Sequence, residues 1–186
     1  MALLKMQIQG LCEAMEPEER RPFEAICEGL TETMEDLRTL TRDLSPPSLY
    51  VAGLEAAIES LLEDQIQAKH GLRYTLEVTP EAVPKADDLR VLIFQSVREL
   101  LINVVKHAKA DHVRVTIKRR GPYIQITVAD NGIGFNVRAV ETAMSRAGGF
   151  GLFSIRERLE LIGGRLKIQS RPGRGSRLTL IVPPSV

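Results

Sequence analysis

A two-layer α/β sandwich, with a mixed sheet and three helices on one face, is the fold class the sequence predicts, preceded by an α-helical hairpin. Three observations predict it. From Gly53 onward the segments run helix, strand, helix, two strands, loop, helix, two strands. The strand segments alternate apolar and polar residues, which gives a sheet one wet face and leaves the other for helices to cover. Before residue 45 the pattern is different: narrow apolar seams with charged flanks, at coiled-coil spacing. A doubly wound nucleotide fold is excluded, because its strands would be apolar on both faces.

The seams come first in the chain. Leu4, Ile8, Leu11 and Met15 form one helical stripe, and Phe23, Ile26, Leu30, Met34, Leu37 and Leu44 form a second beyond the polar turn EPEERR. Two such helices cannot bury their stripes alone, so the hairpin is expected to pair with a second copy as a four-helix bundle. Pro46-Pro47 ends the second helix. Residues 1–48 are therefore expected to be a stem, and residues 49–186 a separate domain.

In that second domain Gly53 to Lys69 reads as a helix stopped by Gly71. LRYTLEV (72–78) alternates as a strand. Asp87 or Asp88 is the expected cap of a long helix containing ELLINVVKHAKA (99–110). HVRVTIK (112–118) and YIQITVA (123–129) are strands joined by a turn at Gly121-Pro122. LFSIRERLELI (152–162) is helical and stopped by Gly163-Gly164, and RLKIQS (165–170) with SRLTLIV (176–182) makes a last hairpin.

Composition narrows the function classes. The chain has 186 residues and a net charge of +1, which gives no electrostatic case for nucleic acid or an acidic membrane surface. The arginines at 119–120 and between 165 and 177 read as solvated faces. Cys12 and Cys27 lack metal-ligand spacing and are expected to be reduced thiols in a cytoplasmic setting. No apolar run reaches membrane-spanning length and no signal peptide opens the chain, so membrane insertion of this chain is not expected.

Four segments carry candidate chemistry. In ELLINVVKHAKA, Glu99, Asn103 and His107 follow one another at helical-turn spacing on a helix that is otherwise apolar. A mid-helix Asn suits a solvent edge; its amide oxygen equally suits Mg²⁺, which keeps most of its waters and borrows ligands from phosphates. Glu99 is placed to hold a metal-bound water or orient an attacking group, and Lys106 and His107 to meet phosphate or nucleotide. In DNGIGF, Asp130 to Phe135, Asn-Gly is a common hairpin signal, yet no strand follows. Asp130 closes a strand, and a carboxylate that only accepts hydrogen bonds can take adenine's amino group while repelling guanine's carbonyl. AGGFGLFSIRERL (147–159) runs glycines into a helix N-terminus, which is either a flexible loop or an anion site. It lacks the strand and the Lys-Ser/Thr of better-known phosphate loops. PGRGS (172–176) is a hairpin turn whose Ser176 hydroxyl reaches a phosphate if the turn faces the same cleft.

In this order the four segments resemble the ATP-binding domain shared by sensor histidine kinases, DNA gyrase and MutL, the GHKL group. ELLINVVKHAKA resembles its N box, DNGIGF and GGFGLFSIRERL its glycine boxes, and PGRGS its last box. The nearest likeness is to the nitrate-sensor class of bacterial histidine kinases, whose connector DLSPPSLYVAGLEAAI (43–58) also resembles. The resemblance implies ATP and Mg²⁺ as cofactors, with Asn103 on the metal and Glu99 nearby as the catalytic pair. Lys106 and His107 would lie along the nucleotide, Asp130 on the adenine amino group, Gly132 and Gly134 at the hinge of a lid over roughly 134–150, and Gly149, Gly151 and Leu152 at the nucleotide. Phe150 stands where many relatives carry His, and Ser176 where Thr is common.

The resemblance further implies a homodimer through the N-terminal helices and a response-regulator receiver domain as partner. The phospho-accepting His of that class lies in an HD or HE motif just upstream of a segment like LLKMQIQG; neither His70 nor His112 fits it. The chain is thus expected to bind ATP without phosphorylating itself. Two other readings share the residues: a serine kinase acting on an anti-sigma-factor antagonist, and a non-catalytic ATP-binding dimerisation module.

Overall fold

The computed structural model describes residues 46–140 and 150–183, together with residues 26, 28, 29 and 31. The stem seams apart from Ile26, both cysteines, and Gly148 and Gly149 lie outside the described residues. The compact unit from Ser45 to Val186 is described by itself.

Its sheet has five strands: β1 (Arg73–Val78), β2 (His112–Arg120), β3 (Tyr123–Asp130), β4 (Arg165–Ser170) and β5 (Ser176–Val182). Their order is β1-β2-β3-β5-β4. β1 runs parallel to β2 and every other pair is antiparallel, so the sheet is mixed. The alternation in the sequence sets which side is dry. Val113, Val115 and Ile117 of β2, Ile124, Ile126 and Val128 of β3, and Leu178, Leu180 and Val182 of β5 are buried. The intervening residues on the other face include Thr, Gln, Lys and Arg, and they are joined there by Glu77 of β1, which pairs with both Arg114 (2.9 Å) and Lys118 (2.8 Å).

Helices cover the apolar face. α1 (Pro47–Val51) opens with a proline at its first position, where the missing N–H is no loss. α2 (Gly53–Leu61) continues through a wider π-helical stretch (Leu62–Gln67) to Ala68–His70, and Gly71 closes it at φ +65°. α3 (Asp87–Asn103) buries Leu89, Ile93, Phe94, Val97, Leu100 and Leu101. α4 (Phe150–Leu161) adds Ile155 and Leu159 to the same core. The three-helix cover and every strand of the expected architecture are present.

Two local expectations change. Neither Asp87 nor Asp88 caps α3. Ala86 holds the extended capping position and makes no side-chain cap bond, while both aspartates already lie in the first turn. Asp87 pairs instead with Arg90 at 3.0 Å. The second change concerns the polar stripe. Beyond Asn103 the helix widens into a π-helical turn, Val104–Ala108, and ends with Lys109 in the left-handed region at φ 49°. The i, i+4 ladder behind the stripe thus stops at Asn103.

Candidate functional site

The cleft lies at one end of the sheet, where three strands terminate side by side. Asp130 is the last residue of β3, and its register partner is Ser176, the first of β5. Ser176 pairs in turn with Ser170, the last residue of β4. Residues paired across strands share a face, so the row Asp130–Ser176–Ser170 lies on the side covered by the helices.

The chain turns sharply after Asp130. One carboxylate oxygen accepts the Gly132 N–H at 2.8 Å, which fixes the carboxyl's orientation and leaves the second oxygen for another donor. Ile133 N–H donates to the Ala108 carbonyl at 2.8 Å, tying the loop to the end of the α3 helical segment. The turn between β4 and β5 then clasps the same loop. Gly175 N–H donates to the Gly132 carbonyl (2.8 Å) and Gly173 N–H to that of Ile133 (2.6 Å). Gly134 passes under this clasp at φ +60°, and a Cβ there would overlap the Arg171 carbonyl and come within 2.7 Å of that of Gly175. Only glycine satisfies both the dihedral and the space.

Asn131 anchors the loop from the side. Its amide oxygen accepts the backbone N–H groups of Asp111 and His112, each at 3.1 Å, and its amide nitrogen donates to the Asp111 carboxylate at 2.5 Å. That hydrogen bond, with the Arg73 charge beyond it, holds the Asp111 carboxyl below its ordinary range. A carboxyl depressed in the folded state stabilises above its unfolded pKa, and the contribution is lost as pH falls through the folded value. The stability difference between the wild-type chain and Asp111→Asn should be full at neutral pH and shrink towards zero in acid, as read from urea midpoints along a pH series.

The other end of the cleft is made by α3 and α4. Gly151, in the first turn of α4, sits so close to α3 that a Cβ would overlap the Glu99 carboxylate and lie 3.5 Å from the Asn103 amide nitrogen. That nitrogen is buried and has no hydrogen-bond partner among the described residues. A buried amide N–H group without a partner is unusual and is able to donate to a water or ligand oxygen. Between these ends is a cavity of about 220 Å³, a size for one heterocycle. Leu100, Val104, Leu152, Leu178, Phe135 and Val140 make its apolar walls, and Asn103, His107, Asp130 and Ser176 its polar ones.

The expected residues are distributed as follows. Asn103, His107, Asp130, Gly134, Leu152 and Ser176 line the cavity together. Glu99 stands behind Gly151, and Gly132 packs against Ala108. Lys106 is exposed and does not line the cavity. Gly149 lies outside the described residues, as does the side chain of Phe150. Ser176 stands across from Asp130. Sequence reasoning missed Asn131 and Ser170, which hold the loop from outside the cavity, and Phe135 and Val140, which wall it. Asn131 had a signal in the Asn-Gly pair; Ser170 had none.

A cleft over the strand ends with room for one heterocycle, walled by an Asn-bearing helix and a glycine-containing loop, is compatible with a nucleotide-binding domain. Residues 88–186 match the family of histidine kinase-, DNA gyrase B- and HSP90-like ATPases; the chain belongs to that family, and membership implies ATP binding. Among its relatives is an uncharacterized sensor-like histidine kinase of Chloroflexus aurantiacus, 34% identical over 193 residues, covering 98% of this chain and 32% of that protein. The oxygen sensor histidine kinase NreB of Staphylococcus carnosus is 31% identical over 154 residues, covering 83% of this chain and 43% of NreB. The chain thus spans less than half the length of these curated relatives. The fold is shared with the histidine kinase domain of the Erythrobacter litoralis EL346 blue-light activated histidine kinase, with TM-score 0.62, 16% identity, and 98% and 93% of the two chains covered. The catalytic domain of histidine kinase ThkA matches at TM-score 0.59 and 20% identity, over 71% of this chain and 92% of that one.

Proposed function

We propose that this chain is the ATP-binding catalytic part of a two-component sensor histidine kinase of the nitrate-sensor class. In this reading it passes the γ-phosphoryl of Mg-ATP to a His on a dimer stem, for relay to an Asp of a response-regulator receiver domain. The observation that carries the reading is the pairing of an orphaned, buried Asn103 amide with Gly151 at one end of the cleft and an acceptor-only Asp130 at the other. Dimerisation through the seams of residues 4–44 and a cytoplasmic setting belong to the same proposal. Among the described residues no helix is long and apolar enough to cross a membrane.

Each residue has a physical task. The free oxygen of Asp130 takes the adenine amino group, and Ser176 faces the base beside it. The apolar walls exclude water from the ring, with His107 at its edge. The amides at the start of α4, left open by Gly151, receive phosphate oxygens at the positive end of the helix. Asn103 and Glu99 fit a hard cation held through an amide oxygen and a water. A Mg²⁺ held there by Asn103 and Glu99 would supply charge neutralisation for the triphosphate, which would leave the transfer chiefly a matter of positioning.

Asn103→Ala should weaken Mg-ATP binding by about tenfold to a hundredfold, and metal-free ATP binding by less. Titrations with Mg²⁺ and with EDTA separate the two. The kinase reading is tested by mixing the full chain with γ-labelled ATP and a stem polypeptide carrying an exposed His. Transfer of label to that His supports it. ATP binding with no transfer would favour the non-catalytic dimerising module.

A further inference from the structure

We infer that Ser170, which lies outside the cavity, is a positioning residue that fixes the direction of the Ser176 hydroxyl and so helps select the base. The inference rests on the ATP-binding reading. Ser176 lines the cavity and is 8% exposed, and its Oγ lies 3.1 Å from that of Ser170. A hydroxyl has one proton to give and two lone pairs to receive with, so either serine is able to donate to the other. The surroundings of Ser170 decide which one does.

Ser170 Oγ accepts the Phe135 N–H at 2.8 Å and lies 3.0 Å from the carbonyl of Gly175. A carbonyl only accepts. The single Ser170 proton therefore goes to Gly175, a buried residue whose carbonyl would otherwise lose this hydrogen bond. The second lone pair of Ser170 is then filled by the proton of Ser176. With its proton turned away towards β4, Ser176 offers the cavity only lone pairs. Its register partner Asp130 also offers only acceptors. Two acceptors side by side demand a donor from the ligand, which the amino group of adenine supplies and a keto oxygen does not. Without Ser170 the Ser176 hydroxyl rotates freely and is able to donate to a keto oxygen. Ser170 also ties the loop at Phe135 to the β4–β5 turn through the same atom.

Calorimetric titration of the full chain with Mg-ATP and Mg-ITP, which carries a carbonyl oxygen in place of the amino group, tests this. The wild-type chain should prefer ATP. Ser170→Ala should narrow the ATP-to-ITP affinity ratio by about fivefold, chiefly by improving ITP binding relative to ATP. Ser170→Thr keeps the hydroxyl and should keep the ratio. Ser176→Ala should narrow the ratio similarly, and the double alanine variant should narrow it no further, because Ser170 acts through Ser176. A Ser170→Ala chain that weakens on both nucleotides equally would overturn the inference, since that is what loss of loop packing alone produces. So would a double variant whose effects add. If Ser170→Ala does not fold, an unaltered ratio in Ser176→Ala overturns it. A wild-type chain that binds neither nucleotide overturns the ATP reading itself, an outcome distinct from an unaltered ratio in a chain that binds ATP.

Discussion

Replacing Asp130 by alanine is expected to weaken ATP binding by about a hundredfold and to reduce sharply the preference for ATP over GTP. The carboxylate ends β3 with one oxygen engaged by Gly132 and the other free, so it meets the base as an acceptor and nothing else. Two effects are superposed in the variant. Loss of a hydrogen bond to a charged group lowers ATP affinity, and loss of a repulsive acceptor relieves the penalty on GTP. A structural contribution is separable because Asp130→Asn retains an oxygen able to accept the Gly132 N–H. Asp130→Asn also brings an NH₂ that can donate to a guanine carbonyl, so it should fold as the wild type does and bind GTP relatively better. Parallel titrations of both variants with ATP and GTP, accompanied by thermal unfolding, check each part.

Gly134→Ala is expected to be strongly destabilising, by about 3 kcal/mol or more. Its φ of +60° alone disfavours a side chain by about 1–2 kcal/mol. The remainder comes from the carbonyls of Arg171 and Gly175, against which the new Cβ would be driven. Gly121 provides the control. Its φ is +58°, almost the same, but a Cβ there meets nothing within 4 Å. Gly121→Ala should therefore carry only the backbone part, about 1–2 kcal/mol. Urea unfolding of the two variants measures the difference, and equal losses would show that the clasp on the glycine loop contributes nothing.

Much of this was legible in the sequence, for reasons that differ by element. Strands such as RLKIQS and SRLTLIV could be bounded to the residue, because alternation and flanking glycines are local signals that tertiary contacts reinforce. The place of Asp130 at a strand end was legible because the alternation of YIQITVA stops there and glycines follow. The cap of α3 was misassigned because two adjacent aspartates both suit a helix start, and only backbone dihedrals decide which residue lies outside the first turn. The stripe of Glu99, Asn103 and His107 assumed an unbroken α-helix. The π-helical turn after Asn103 reflects how the helix end docks against the glycine loop, through the Ala108 carbonyl, which no local pattern encodes. Asn131 and Ser170 escaped for a related reason. Their partners are 20 and 35 residues away in sequence, at Asp111 and Phe135, so their roles exist only once the sheet has brought those segments together.

The central claim, that the cleft between the Asn103 helix and the Asp130 loop is an adenine-selective ATP site, is tested most directly by calorimetric titration of the wild-type chain with Mg-ATP and Mg-GTP. One saturable site per chain is predicted, with ATP bound at least tenfold more tightly than GTP. Equal affinity for the two nucleotides, or binding of ATP that Asp130→Ala leaves undiminished, would contradict it.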